Sequence, residues 1–504
     1  LRTDIFRYMI QNARTHGKSE EERKFTAMLK LFDPSSSLPV AERGKAPVAI
    51  TSFFAGKPLV LDEKVKAGQI DDYVTPTFYA PNVSWLVQRN GMNPRHSLMV
   101  SLNGSEGNHM HANGISMELY GKGYVLGPDA GIGKTLYQGL DYLEYYSQFP
   151  SHNTVCVDGI SSYPVMKSNH SFKLRALYPA AGERLPYQPI SYSEVYFREP
   201  ETFADQTRLN GIVNVGDSAG YYIDIFRSRK VEGGDKMHDY FYHNLGQQMT
   251  LTAADGSELG LQPTQELAFA GAHLYAYSYI YNKKRAVTSK DVKAGFTIQM
   301  PDKDDITMNL WMKGEEGREI FSALSPMTEG LSRIKNMPYS IKDQPTLTFV
   351  ARQKGEAWNR PFVAVYEPST LKEPSCIASV DYPQVKSEQQ GSHVGIRVAL
   401  TNGNVDWILS SDENAHHCKL EKLQARAGYA LCRQSEKGEA LQAFLGNGTQ
   451  LEADGVSIRT DVPADVLLLK QDGKWMYTAT APCRVVVGKK KYTLSVSKEL
   501  RLLK

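Results

Sequence analysis

The stretch at residues 115–131, ISMELYGKGYVLGPDAG, alternates apolar and polar residues on both sides of Gly121-Lys122-Gly123. Alternation with a period of two is typical of a β-strand with one buried face, and a short glycine-containing turn between two such runs predicts a hairpin. We therefore predict two antiparallel strands here, with Asp129 just beyond the end of the returning strand.

Similar strand-type patterns continue along most of the chain. After about Val48, short runs of β-branched and aromatic residues recur between turn signals such as Gly233-Gly234 and Asp472-Gly473. Only residues 1–32 place apolar residues at helical spacing, and Gly17 interrupts them. The pattern predicts a mainly β protein of antiparallel, sandwich-type sheets that follow a short helical segment.

A change in the sequence pattern near residues 368–374 predicts a domain boundary before a smaller β domain. We therefore divide the chain into a helical segment with its linker at 1–46, a large β region at 47–370 and a C-terminal β domain at 371–504. The first residue is Leu1 rather than Met, so we expect a mature form or a fragment.

Composition argues against several classes of function. The 504 residues carry 58 basic and 55 acidic side chains, a formal charge of +3, which gives no reason to expect nucleic acid as a partner. No run of about 18 apolar residues predicts a membrane span. An odd number of cysteines without a C-x-x-C pair predicts buried free thiols: Cys156, Cys376, Cys418, Cys432 and Cys483.

A phosphate-binding loop is also disfavoured. Gly133, Lys134 and Thr135 supply the end of the G-x-x-x-x-G-K-[ST] pattern, but Pro128 occupies the position of its first glycine. Proline has a fixed φ and no N–H to offer a phosphate. The Gly127-Pro128-Asp129 turn therefore needs another explanation.

Histidines and one carboxylate near this turn suggest a metal site. His109 and His111 are two residues apart, so in extended backbone both would project from one face. Asp129 ends the returning strand, and His152 stands at the head of another strand in SQFPSHNTVCVDG. Such a set suits zinc, although a lone histidine is more often a hydrogen-bonded core residue.

The run from Trp85 to Gly159 resembles the core signature of the heparinase II/III-like domain of polysaccharide lyases. The matching blocks are the H-x-H pair, ELYGKGYVLGPDAG and HNTVCVDG, in that order. The resemblance implies a two-layered antiparallel β super-sandwich and a C-terminal β domain. It also implies an (α/α) toroid, of which the N-terminal helices would be a remnant.

The same resemblance implies roles for individual residues. A structural Zn²⁺ would be held by His111, Asp129 and His152, while His109 would face the substrate and take part in catalysis. A catalytic tyrosine is expected between the metal Asp and the metal His. Tyr137 is the closest match, and Tyr145 and Tyr146 compete with it.

The function implied is β-elimination on a glycan that contains uronic acid, by a protein that a bacterium secretes or keeps in its periplasm. The partner would be an anionic polysaccharide or oligosaccharide. The sequence departs from the pattern at Asn113, where relatives often have Asp, and most of the toroid is missing. It would be supplied by the rest of a longer chain or by a second chain. The alternative is a non-catalytic glycan-binding protein on the same fold.

Further polar residues have a simpler interpretation. Arg95, Lys122 and Lys134 could attract an anionic glycan, but solvated surface charge is the more common role. His238 and His243 could approach the cleft, with a structural role as the alternative. The tract His416-His417-Cys418 follows the polar turn SSDENA, so we expect it to be exposed.

Overall fold

The computed structural model describes residues 4–32, 66–93, 95–129, 131, 140–161, 166–182, 185–268, 275–301, 303–328 and 344–504. These residues divide into two compact units, Leu1–Thr75 and Pro76–Lys504. The first contains the helices α1 (Asp4–Thr15) and α2 (Ser19–Phe32), separated at Gly17, whose φ is +67°. Ile10 and Leu29 form its buried apolar contact, so the predicted helical segment is confirmed.

The second unit is built almost wholly of β-strands. The strands before the predicted domain boundary are β1 (Thr77–Ala80), β2 (Trp85–Arg89), β3 (Met99–Asn103), β4 (Ser105–Asn108), β5 (Ser116–Gly121), β6 (Tyr124–Gly127), β7 (Val155–Val157), β8 (Lys167–His170), β9 (Lys173–Tyr178), β10 (Ile190–Arg198), β11 (Ala204–Asn214), β12 (Gly220–Lys230), β13 (Met237–Asn244), β14 (Gln248–Ala253), β15 (Gln262–Pro263), β16 (Tyr281–Thr288), β17 (Val292–Ile298), β18 (Ile306–Met312), β19 (Arg318–Ser325), β20 (Thr346–Lys354) and β21 (Ala357–Thr370).

The strands after that boundary are β22 (Ile377–Asp381), β23 (Lys386–Ser387), β24 (His393–Leu400), β25 (Val405–Ser411), β26 (His417–Leu420), β27 (Leu423–Gln434), β28 (Ala440–Ala453), β29 (Val456–Gln471), β30 (Lys474–Ala479), β31 (Cys483–Val487), β32 (Lys490–Leu494) and β33 (Ser497–Leu502). Helical structure among the described residues of this unit is limited to single turns, including α3 (Tyr275–Ser278) and a π-helical turn at Tyr142–Tyr146. The protein is therefore mainly β and antiparallel, as predicted.

The strands form three layers. One layer holds the five-stranded sheet β1-β2-β3-β5-β6 and the six-stranded sheet β15-β16-β19-β20-β13-β7, with the small pair β4-β8 beside them. The middle layer is the eight-stranded sheet β14-β17-β18-β21-β12-β11-β10-β9. The third is a twelve-stranded sheet made of β22 to β33.

The central strands of the middle sheet, β11, β12 and β21, are buried on both faces. One face packs against the first layer through residues such as Phe226, Phe296 and Tyr366. The opposite face packs against the twelve-stranded sheet through residues such as Tyr221 and Val365. Burial of a strand on both sides removes the usual in-and-out alternation, which explains the continuous apolar character of β12.

The predicted division at residue 370 stays a prediction. The chain does change sheets between β21 and β22, yet residues 76–504 form one compact unit by their contacts. Residues 33–65, which include the predicted linker, lie outside the described part of the chain.

Two further expectations concern the thiols and the membrane. All five cysteines are buried and free, as the sequence predicted. Within the described ranges, no helix has both the length and the apolar character that crossing a membrane demands.

Candidate metal centre and cleft

His111, Asp129 and His152, which the sequence singled out as metal ligands, come together in the structure. One ligand atom of each lies within 4.8 Å of the ligand atoms of the other two. The two imidazole rings stack with centroids 5.0 Å apart, and His152 Nδ1 lies 2.9 Å from Asp129 Oδ2. Residues that are far apart in the sequence thus form one compact cluster, which we call the first cluster.

The hairpin β5–β6 brings Asp129 to this place. Its two-residue turn has positive φ at both positions, 54° at Lys122 and 87° at Gly123, as a type I′ hairpin requires. The returning strand ends at Gly127, and Asp129 Oδ1 then accepts the N–H of Gly131 at 2.8 Å. The predicted hairpin is confirmed, and its turn fixes where the carboxylate emerges.

Asn153 connects the segments that carry the cluster. Its Nδ2 donates to the carbonyl of Met117 on β5 at 2.9 Å and to that of Pro128, beside Asp129, at 3.1 Å. Its Oδ1 accepts the backbone N–H of His243 on β13 at 2.7 Å. Asn153 follows His152 in the chain, and Pro128 precedes Asp129. The buried Asn153 amide therefore fixes these two ligand-bearing segments relative to each other.

The donor atoms fit a metal ion. Nε2 of His111 and Nε2 of His152 are both buried, and neither has a hydrogen-bond partner among the described residues. A buried polar atom without a partner is costly, so these two nitrogens call for a ligand. A proton on His152 Nδ1 that is donated to Asp129 leaves the Nε2 lone pair free, which is the usual arrangement of a metal-binding histidine.

The charge states also suit a cation. Burial lowers the pKa of His111 to about 4, and the neighbouring His152 adds to that effect against the pull of Asp129. Burial alone would raise the pKa of Asp129, but the adjacent His152 and His111 rings hold it below its usual range. A neutral imidazole beside an ionised carboxylate is the donor state that zinc requires.

His109 lies apart from this cluster and is exposed. Its φ of +60° interrupts the extended backbone, and its N–H donates to the carbonyl of Met166 at 2.7 Å. The argument that His109 and His111 project from one face of an extended segment is therefore wrong, because this turn intervenes. The result is still a solvent-facing histidine two residues from a buried one.

The tyrosines expected near the site are placed differently. Tyr137 falls within residues 132–139, outside the described part of the chain. Tyr145 and Tyr146 are buried in an aromatic cluster, and Tyr146 donates its hydroxyl to the carbonyl of Met327 at 2.7 Å. Burial raises the pKa of Tyr145 well above its ordinary value. Both side chains are buried in this structure, and their catalytic role stays a prediction.

Sequence reasoning missed a hydrogen-bonded pair on β5, formed by Glu118 and Tyr120. Glu118 accepts hydrogen bonds from Tyr120 Oη at 2.6 Å and from Asn103 Nδ2 at 2.9 Å. Burial raises the pKa of Glu118 to about 7, and the nearby Asp129 carboxylate adds to the rise. The signal was available: in the strand SMELYG, Glu118 and Tyr120 share the face opposite to Met117 and Leu119.

His238 and His243, the two other histidines considered for the cleft, are buried in this structure. His238 is fully buried between Ser228 Oγ at 2.9 Å and Asp235 Oδ1 at 2.8 Å. Burial lowers the pKa of His243 to about 3, and the proximity of His152 contributes. His243 thus lies beside the first cluster but packs as a neutral core residue.

Two of the basic residues proposed for glycan attraction are already paired. Arg95 Nε lies 3.0 Å from one oxygen of Glu373, and Lys122 Nζ lies 2.8 Å from the other. Lys134 lies outside the described residues. The single carboxylate of Glu373 is thus shared by both cations, so these three groups keep a net positive charge.

No protein-family model matches the chain. It is similar to an endo-acting ulvan lyase of Formosa agariphila, with 26% identity over 487 residues that cover 91% of the chain. The chain spans 57% of the length of that relative.

Among solved structures, the chain is similar to heparinase III, with a TM-score of 0.38, 10% identity and coverage of 67% of this chain and 42% of the other. It is also similar to the heparan sulfate lyase HepC of Pedobacter heparinus (TM-score 0.39, 12% identity, 81% and 56% covered) and to chondroitinase AC lyase (0.36, 10%, 86% and 56%). The sequence similarity to the ulvan lyase thus extends over nearly the whole of this chain.

Proposed function

We propose that this relative of the polysaccharide lyases is the β-rich part of an enzyme that cleaves a uronic-acid glycan by β-elimination. The observation that carries the proposal is the exposed His109 two residues from the first cluster, in a chain related to a lyase over 91% of its length. A protein with a purely structural role has no need of an exposed histidine at this place.

In β-elimination, a base removes the C5 proton of the uronate and the C4–O4 bond breaks, which leaves a C4=C5 double bond. The leaving oxygen takes up a proton, and the C6 carboxylate must be offset so that the C5 proton becomes acidic. His109 is our candidate for the base or for the group that offsets the carboxylate, because histidine exchanges protons near neutral pH. Tyr137 is our candidate for the second proton-transfer group.

We assign zinc to His111, Asp129 and His152. When bound, the ion supplies structural cross-linking rather than a reacting site. Its effect on this chain would be to fix the segment that begins at His109 against the end of β6. The support is the donor set itself, with two buried nitrogens that lack other partners in the described chain.

The substrate and the cell compartment are further proposals. We place ulvan first among the substrates because the relative is an endo-acting ulvan lyase. An anionic polysaccharide would reach the enzyme outside the bacterial cytoplasm, in the periplasm or after secretion. The part of the relative that this chain does not span is the proposed source of the helical toroid.

The test is the ultraviolet absorbance of the unsaturated uronate that elimination creates. The chain is incubated with ulvan, alginate, heparan sulfate and chondroitin sulfate, both as it stands and joined to the proposed helical toroid. We expect absorbance to rise with at least one glycan, at least 100-fold more slowly for His109→Ala, and at an unchanged rate for the control His417→Ala. No activity in either form, together with retained glycan binding, would favour the non-catalytic alternative.

Zinc content tests the metal assignment separately. We expect Asp129→Asn and His111→Ala to lose the ion during dialysis against a weak chelator, because each removes a donor. His109→Ala should retain it, since that side chain lies outside the cluster. Equal zinc content in all of these proteins would refute the assignment.

A further inference from the structure

A second cluster of ligand-type side chains lies in the twelve-stranded sheet. His393 begins β24, Asp412 follows the end of β25, and His416 precedes β26. One ligand atom of each lies within 4.8 Å of those of the other two. We propose that this second cluster binds a divalent transition metal of the zinc class.

The sequence predicted an exposed tract at His416-His417-Cys418, and this is wrong because none of the three is exposed. Cys418 is fully buried, and His416 is partly buried. The partner that the sequence could not reveal is His393, which antiparallel pairing places opposite Ser411, next to Asp412. Strand register, rather than a local motif, brings the cluster together.

Hydrogen bonds fix the tautomer of His393. Its Nε2 lies 3.1 Å from the carbonyl of Gln389, which can only accept, so Nε2 carries the proton. Nδ1 therefore presents a lone pair. The nearby Ser411 hydroxyl directs its single proton to the carbonyl of Glu413 at 2.9 Å, shorter than its 3.2 Å distance to Nδ1. The Nδ1 lone pair faces the thiol of Cys418 at 3.4 Å, opposite an N–H bonded to a carbonyl, and this arrangement of an imidazole is typical of a metal ligand.

His416 supplies a second nitrogen, one that makes no hydrogen bond to the described residues. Its Nδ1 is buried and has no hydrogen-bond partner in the described chain. A methyl group added at Gly391 would lie 3.0 Å from this atom and 2.8 Å from Asp412 Oδ1. The His416 nitrogen and the Asp412 oxygen thus both lie close to Gly391. Any side chain at that position would crowd them.

Asp412 completes the set with a carboxylate. Its Oδ1 accepts the N–H of Ser392 at 3.0 Å and its Oδ2 accepts Trp358 Nε1 at 2.7 Å, both neutral donors. Among the residues that the structure describes, no Lys or Arg nitrogen lies within ion-pair distance of it. The carboxylate is oriented by these two bonds and forms no direct ion pair with a described residue, and the guanidinium of Arg227 acts on its charge only from a greater distance.

The donor types select the class of metal. Two imidazole nitrogens and one carboxylate suit zinc and its neighbours, whereas calcium and magnesium prefer oxygen ligands. Cys418 Sγ lies 3.4 Å from His393 Nδ1. Zinc bonds of about 2.0 Å to nitrogen and 2.3 Å to sulfur in tetrahedral geometry separate two such donors by about 3.5 Å, so Cys418 can complete the coordination.

The position gives the metal a structural role. Trp358, which donates to Asp412, belongs to β21 of the middle sheet. Arg227 of β12 in turn donates to Ser392 Oγ at 2.8 Å. A metal held here would fasten the turns around residues 389–393 and 411–418 where two layers of the protein meet.

Metal content of the full chain tests the inference. Zinc or cobalt is added, excess is removed by gel filtration, and bound metal is counted in the wild type and in a His111→Ala background that lacks the first cluster. We expect His111→Ala to retain one equivalent, and both His416→Ala and Gly391→Ala in that background to lose it. The matched control His417→Ala, which alters the adjacent histidine, should keep it.

Cobalt adds a second readout. A tetrahedral site gives visible absorption bands, and a thiolate ligand adds near-ultraviolet charge transfer that Cys418→Ser would abolish. Metal retained in His416→Ala, or no metal left in folded His111→Ala, would overturn the inference. One equivalent in the wild type as well as in His111→Ala, lost in the His416 variant, would instead count against zinc at the first cluster, so the two proposals fail separately. Circular dichroism verifies that each variant is folded.

Discussion

Glu118 is a half-buried carboxyl group whose proton affects stability. Because burial raises its pKa to about 7, the folded protein holds a proton between about pH 4.5 and 7 that the unfolded chain has released. More protons are bound in the folded state over this interval, so the free energy of unfolding must fall as pH rises through it.

We expect Glu118→Gln to remove this fall, since glutamine does not titrate. The difference in unfolding free energy between variant and wild type should grow from pH 5 to pH 8, by up to about 3 kcal/mol. Urea unfolding at several pH values, with chelator present throughout, measures it. Glu232→Gln, at an exposed position, is the control, and parallel pH profiles for all three proteins would contradict the prediction.

At this scale, the sequence motifs located the first cluster but not its surroundings. His111, Asp129 and His152 could be selected because they stand in blocks that resemble a known family. The raised pKa of Glu118 could not, because it depends on how deeply β5 is buried and on the distance to Asp129. The second cluster shows the same limit, since His393 and His416 are joined only by strand pairing.

At the scale of elements, Arg208 ties together the segments that carry the first cluster. This fully buried residue donates from Nε and Nη2 to Asp224 at 2.8 and 2.7 Å. Its Nη1 donates to the carbonyls of Ile115, at the start of β5, and Asn153, next to His152, at 2.7 and 2.6 Å. One guanidinium thus links two strands of the middle sheet to both sides of the metal centre.

Arg208→Met should destabilise the protein by about 3–5 kcal/mol, because it leaves the buried Asp224 without its cation. The matched control Arg229→Met removes an exposed guanidinium that lies 4.2 Å from the Trp358 ring, and should cost less than about 1 kcal/mol. Chemical denaturation measures both. Similar losses in the two variants would show that burial of the Arg208–Asp224 pair is not what matters.

The elements themselves were predictable where one face of a strand meets solvent. The hairpins at Lys122-Gly123 and Asp472-Gly473 follow from alternation and from positive φ at the turn. The two runs that flank Gly233-Gly234 did not reveal their partners: β12 lies in the eight-stranded sheet and β13 in the six-stranded one. Both are buried along nearly their whole length, so their sequences carry no face-specific pattern.

At the scale of the whole molecule, the second compact unit depends on the twelve-stranded sheet. That sheet covers an apolar face of the middle sheet and also meets it through buried polar contacts. Asp406 accepts the hydroxyl of Tyr221 at 2.6 Å and pairs with Arg433 at 2.7 Å. Without the twelve-stranded sheet, this apolar face of the middle sheet would be exposed to solvent. A large exposed apolar surface leads to aggregation.

We therefore expect residues 1–370, expressed without the C-terminal part, to aggregate, and residues 76–504 of the full chain to unfold in one cooperative transition. Gel filtration tests the first statement and differential scanning calorimetry the second. The full chain, measured beside the truncated form, is the control. A monomeric truncated protein with the melting temperature of the full chain would contradict the prediction.

The five buried thiols have a consequence for refolding after denaturation. While the protein is folded, each sulfur is sealed away from oxidants and from the other four. Once the chain opens, all five can react, and because their number is odd, at least one always remains to join another molecule. Heat denaturation in air should therefore be irreversible, whereas a reducing agent should restore recovery on cooling.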